Sequence, residues 1–327
     1  MHRRTFIALV GAAAAARPDL AFSQAASSPV VGFVNNGSPD AFATFFSDFR
    51  RGLGEAGFVQ GQSVNVEARW AEGNDVRLPA LISELVQRRV SVIAATGGSA
   101  SVVAARASGT TTPIVFVMGA DPIKLGIVTS LNRPGANITG VSLLSNGLLG
   151  KQAAILHETI ARGAPIGFLV RPANPNASGD TRELAAASEA LGHKLIVAEA
   201  NTQAEIAPAV RDIAQKGAAA MIIFPDVLFI SSLRQLVAAI TDHRLPAIYN
   251  FLEFAAAGGL LCYGANQNEA YYQAGLYAGR ILKGEKPSDL PVIQSARLKL
   301  IVNLKTAKAF GINLSPTLLA TADEVIE

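Results

Sequence analysis

The chain has 327 residues, half of them hydrophobic and only 16% charged. That is enough apolar material for two α/β domains, and no run of like charge suggests a polyanion-binding tail. The net charge of +3 falls to +1 once the three Arg and one Asp of residues 1–25 are set aside, which argues against nucleic acid as a partner.

Residues 1–25 carry the order of an export signal. Arg3-Arg4 come first, then the apolar run Phe6 to Ala16, then small residues around Ser23-Gln24-Ala25-Ala26. Arg3-Arg4-Thr5-Phe6-Ile7 is similar to a twin-arginine motif, and a simple Sec signal fits as well. The run is too short for a stable membrane span. No cysteine follows it, so no lipid anchor is expected.

After the signal, short apolar runs alternate with amphipathic stretches. Val30–Val34 reads as a buried strand, and Phe42, Phe45, Phe46, Phe49 and Leu53 recur at helical spacing. Val64–Ala68 alternates as a strand, Leu78–Val86 reads as a helix and Val92–Ala95 as a strand. A helix over Ser99–Ala107 and a strand over Pro113–Val117 follow. The segment Asn137–Ser142 is the expected first crossover between two halves. The grammar then restarts with strands at Ile166–Val170, Lys194–Ala198, Ala219–Phe224 and Ala247–Tyr249. Helices are expected between them at Thr181–Leu191, Ala204–Gln215 and Leu228–Ala239. Alternating strands and helices imply parallel sheets, here two α/β lobes whose strand ends face one crevice.

Four features bear on chemistry. Gly52-Leu53-Gly54-Glu55-Ala56-Gly57 spells G-x-G-x-x-G, but it ends a helix instead of joining a strand to one, so Gly57 reads as a helix cap. The four histidines are scattered, and no metal-ligand cluster or P-loop occurs. Cys262, the lone cysteine, follows Leu260-Leu261 and reads as a small buried apolar residue. Thr96-Gly97-Gly98-Ser99-Ala100-Ser101 joins a strand to a helix. Free backbone N–H groups there favour a carboxylate, with Ser99 and Ser101 adding hydroxyls. A plain glycine-rich turn is the second reading, and an incomplete G-x-S-x-G nucleophile elbow at Ser99 the third.

Polar residues recur at the other strand ends: Asn36 and Ser38, Asp121, Asn174, and Asp226. Asp226 fits either a ligand amino or hydroxyl group or a helix cap. Tyr249 fits either a ligand stack or core.

Asp121-Pro122, Gly126-Ile127-Val128 and Ser130 through Ser142 resemble the D-P-V…G-L-V-x-S-L-x-x-P-G-G-N-x-T-G-V-S block of a known family. That family is the substrate-binding proteins of tryptophan/tyrosine-type ABC transporters. Gly284 to Val292 and Ile301 to Ala307 resemble its C-terminal block. The resemblance runs from about Val30 to the C-terminus. It implies a type I periplasmic binding protein fold, two Rossmann-like lobes joined by a three-stranded hinge. The implied lobes are 28–141 plus 264–292, and 142–263 plus 293–327. It implies no enzyme activity, no cofactor and no metal. The protein would be a periplasmic monomer that hands a small organic anion or zwitterion to ABC permease subunits. By position, Thr96, Gly98 and Ser99 would hold a ligand carboxylate. Asp121 would lie at the cleft floor, and Asn174 and Asp226 would act from the other lobe. The first turn, Asn35–Ser38, departs from the Q-x-x-x-H-P pattern of the amino-acid binders, and Phe224–Val227 lacks the Asp-Asn pair often found there. A serine hydrolase using Ser99 and a periplasmic ligand sensor are the rival readings.

Overall fold

A computed structural model of the chain describes residues 28–295 and 297–327. The expected export signal at 1–25 lies outside them. The first lobe opens with β1 (Val30–Asn35), α1 (Ala43–Glu55), β2 (Asn65–Trp70) and α2 (Leu78–Gln87). It continues through β3 (Val92–Thr96), α3 (Ser99–Ala107), β4 (Ile114–Met118) and β5 (Ile138–Ser142). The chain then crosses to the second lobe. There it runs through α4 (Leu149–His157), β6 (Ile166–Val170), α5 (Ala177–Ala190), β7 (Leu195–Glu199) and α6 (Gln203–Gln215). Next come β8 (Ala220–Ile223), α7 (Val227–Ser231), α8 (Leu233–Asp242), β9 (Ala247–Tyr249), α9 (Glu253–Ala256) and β10 (Leu261–Ala265). α10 (Gln267–Leu282) and β11 (Ile293–Gln294) return to the first lobe. β12 (Leu298–Asn303), α11 (Leu304–Phe310), α12 (Pro316–Thr321) and β13 (Glu324–Ile326) finish in the second.

The first sheet is wholly parallel in the order β11-β5-β4-β3-β1-β2. The second runs β13-β12-β10-β9-β8-β6-β7 and is parallel except where β10 meets β12. Strands such as β3, β4 and β6 are buried at every residue, because helices cover both faces of each sheet. In the first lobe Phe33, Phe45, Phe49 and Leu53 pack under α1 and α10. Ile82, Leu85, Val102 and Ala105 fill the other face beneath α2 and α3.

Two sequence expectations are corrected. Asn137–Ser142 is not a connector: Ile138–Ser142 is a strand paired along its length with β4, and the crossover follows it. The single helix expected over Leu228–Ala239 is two helices broken at Ser232. In addition, β11 pairs with β5 two residues past the expected lobe boundary at 292.

The G-x-G-x-x-G run has a packing explanation. Gly57 ends α1 at φ 94°, and Phe58 N–H reaches back to Leu53 O. Gly52 faces α10: a Cβ there would collide with the Tyr272 carbonyl, and one on Gly275 would collide with the Phe49 carbonyl. The two backbones touch because neither residue has a side chain. Gly52→Ala is therefore expected to destabilise by about 3 kcal/mol, since backbone cannot yield as a flexible side chain does. Gly54→Ala meets nothing within 4 Å and should be neutral or gain under about 1 kcal/mol from helix propensity. Urea melts of the two variants check this contrast.

Candidate functional site

A cavity lies between the lobes, lined by residues that follow the carboxyl ends of β1, β3, β4, β6, β8 and β9. That is where open parallel sheets offer loops and helix N-termini to a ligand.

The first wall is the turn from β3 into α3. Gly97 at φ 74° and Gly98 at φ 98° take left-handed backbone that other residues rarely adopt. Gly98 is the N-cap of α3 and offers no capping side chain, so the first N–H groups of that helix have no intrahelical partner. The turn is braced from below. Tyr271 OH, from α10, accepts the Gly97 N–H at 3.1 Å and the Asn35 Nδ2 at 3.2 Å. Asn35 Nδ2 also donates to Thr96 Oγ1 at 2.9 Å. Burial pushes the Tyr271 phenol up to about 12, so it remains a neutral strut. Ser99 Oγ accepts Asn176 Nδ2 of the second lobe at 3.0 Å, which leaves its own proton to give.

The opposing wall is built on Arg171, at the end of β6 and 5% exposed. Its guanidinium reaches across the cleft to Asp75 at 3.2 Å and to Gly73 O at 3.1 Å. On its own lobe it lies 3.6 Å from Asp226. Asp226 caps α7 by accepting the Leu228 N–H at 2.7 Å, and its second oxygen accepts Asn174 Nδ2 at 2.7 Å. Burial pushes the Asp226 carboxyl above the usual carboxylate range, against the pull of Arg171, Asn174 and the Leu228 N–H. Two carboxylates and one guanidinium thus line the cavity, an excess of one negative charge when all are ionised.

Three polar atoms on cavity-lining residues have no protein partner: Asn36 Oδ1, Arg171 Nε and Gln267 Nε2. Their residues are 2%, 5% and 7% exposed. Buried polar groups in proteins are usually paired, so these atoms leave hydrogen-bonding capacity on residues that line the cavity. Apolar contact is available from Phe42, Leu143, Ile230 and Phe251.

Of the residues expected from sequence, Asn36, Gly98, Ser99, Asn174 and Asp226 line this cavity. Four do not. Thr96 is fully buried and donates to Val34 O beneath the turn. Ser38 receives the Ala41 N–H and faces grooves at the cleft rim. Asp121 is not at the cleft floor: it caps its own loop through the Ile123 N–H at 2.8 Å and lines a separate hollow with Lys124 and Glu183. Tyr249 stacks on Phe254 at 4.3 Å inside the second lobe, while Phe251, two residues on, reaches the cavity. Asp75, Arg171, Gln267 and Tyr271 were not among the expected site residues. Arg171 had a local signal, a charge directly after five buried apolar residues; the others had none.

Ser99 has no base beside it, and no histidine lines the cavity. Among the described residues no three His, Cys, Asp or Glu side chains gather as around a metal ion, and no helix is long and apolar enough to cross a membrane.

The solved structure of a conserved domain protein from Vibrio cholerae matches this fold with a TM-score of 0.84 at 23% identity, covering 91% of this chain and 99% of that one. The ABC domain from Streptococcus pneumonia in complex with L-Trp matches with a TM-score of 0.81 at 22% identity, covering 92% and 100%. The tyrosine-binding protein of Clostridioides difficile is 22% identical over 261 residues, 80% of this chain and 74% of its own. The family model of ABC transporter substrate binding proteins matches residues 30–326, and the chain belongs to that family.

Proposed function

We propose that the protein is a monomeric receptor, exported to the periplasm by its N-terminal signal, that closes on an α-amino acid, leaves it unchanged and presents it to ABC permease subunits. The observation that carries this reading is the charge pattern of the cleft. One wall offers the α3 N-terminus, suited to a carboxylate. The opposing side, where Asp226 and the first lobe's Asp75 meet a single Arg171, favours a cation. A simple carboxylic acid would satisfy the first wall and leave the second in excess negative charge, whereas a zwitterion satisfies both. The relatives named for tyrosine and solved with L-Trp support the same class. Each lobe supplies part of the contacts, so closure and binding are one event.

The test is a thermal-shift screen of L-amino acids against their deaminated counterparts. A ligand at a hundred times its Kd stabilises by about 2.7 kcal/mol, which moves the melting point by several degrees. The amino acid should produce the larger shift, and an equal or larger shift with the plain acid would sink the zwitterion reading. Ser99→Ala removes one hydrogen bond to the carboxylate, expected to weaken Kd by about ten- to a hundredfold.

A further inference from the structure

We propose that Asn36 Oδ1 is the acceptor that reads a hydrogen on the ligand's cationic nitrogen, and that Asp75 is the positioning residue that turns the Asn36 carboxamide to do so. The proposal rests on the amino-acid reading above and adds an uncharged acceptor that discriminates amines from plain acids beside the carboxylates.

Asn36 follows β1, is 2% exposed and lines the cavity. Its backbone is pinned, because Asn36 O accepts the Gly73 N–H at 2.6 Å. Its carboxamide has one donating and one accepting end, and two orientations are open to it in principle. Asp75 removes the choice. Asn36 Nδ2 donates to Asp75 Oδ1 at 2.7 Å, and an ionised carboxylate only accepts, so the amide nitrogen must lie on that side. The carbonyl oxygen is then the free end, and it is buried with no partner in the protein. A bare buried acceptor on a cavity wall calls for a donor from the ligand.

Asp75 is itself held from the other lobe, by Arg171 at 3.2 and 3.3 Å. The acceptor is therefore fully set only when the lobes meet. A ligand with an N–H at this point satisfies Asn36, and one with a methylene there strands it. Polar sites built this way reject the analogue lacking the group more strongly than apolar pockets reject a missing methylene.

The experiment is calorimetric titration of L-tyrosine with 3-(4-hydroxyphenyl)propionate, and of L-leucine with 4-methylpentanoate, into wild type and variants. In the wild type the amino acid should bind more tightly. Asn36→Leu should narrow that preference by about ten- to a hundredfold, the range of one hydrogen bond to a charged group, by weakening the amino acid alone. Asp75→Leu should narrow it too, because nothing then holds Nδ2. Asp75→Asn keeps one accepting oxygen for Nδ2 and should retain more of the preference than Asp75→Leu. Both Asp75 variants lose the ion pair with Arg171 and one negative charge of the cleft, so the difference between them isolates the hold on Nδ2. If Asn36→Leu does not fold, Asn36→Ala carries the same comparison. An unchanged preference in the Asn36 variant overturns this assignment while the amino-acid reading stands. Failure of every amino acid to bind the wild type overturns that reading and this assignment with it.

Discussion

Arg171→Leu is expected to destabilise the ligand-free protein by about 3 kcal/mol at neutral pH, because removing one partner of a buried pair leaves the other charge without compensation. Leucine replaces much of the apolar stem, so the loss falls on the guanidinium. Asp75 keeps some contact with water, its side chain being 26% exposed, and it adds little to the deficit. Asp226, with a side chain 2% exposed, retains only Asn174 and the Leu228 N–H. The deficit should depend on pH with a definite sign. Burial already raises the Asp226 carboxyl above its unfolded value, and losing Arg171 raises it further. The folded state therefore binds the proton more readily than the unfolded state. Below the unfolded value Asp226 is protonated in both states and the variant stands nearest to wild type. As pH rises toward the folded value, ionisation of the unfolded chain erodes stability, and the deficit grows. Urea melts of both proteins across the acid-to-neutral range read this directly. A deficit independent of pH would mean that Asp226 is not the group left stranded.

The largest effect on binding is expected from Asp226→Asn. The change is nearly isosteric and keeps an oxygen for the Leu228 N–H. Truncating one partner of a buried charge pair across an interface costs about 2–5 kcal/mol, or thirtyfold and more in Kd for an ammonium-bearing ligand such as L-tyrosine. The deaminated acid should lose little. Because the Asp226 carboxyl titrates above the usual carboxylate range, wild-type affinity should begin to fall at a higher pH on acidification than an ordinary carboxylate would require. The variant should lose that acid limb. Calorimetry at stepped pH values distinguishes the two curves.

Much of the lobe architecture was legible because buried parallel strands and the amphipathic helices between them have strong, local periodicities. The helix over Ser99–Ala107 falls where the two glycines and the serine place it. α10 left almost no such trace. Its packed face is built from Ala274, Gly275, Ala278 and Gly279, so close approach to α1 takes the place of hydrophobic contrast. The site divides along the same line. Asn36, Gly98, Ser99, Asn174 and Asp226 lie just beyond strand ends, a rule that sequence can apply. Thr96 and Tyr249 are the last residues of their strands, and there their side chains turn into the protein. Asp75 and Arg171 stand 96 residues apart, and nothing near either one announces that they meet.

The strut beneath the Gly97–Gly98 turn is contributed by Tyr271, 174 residues further along the chain. The glycines are synthesised early and their brace late, after the whole second lobe up to β10 has been made. A nascent or truncated chain that stops before α10 carries both glycines with no hydroxyl to receive the Gly97 N–H, and it also lacks Gln267. Partially synthesised chains thus lack part of the cleft and the support of its glycine turn. The braced turn cannot form until α10 has been made.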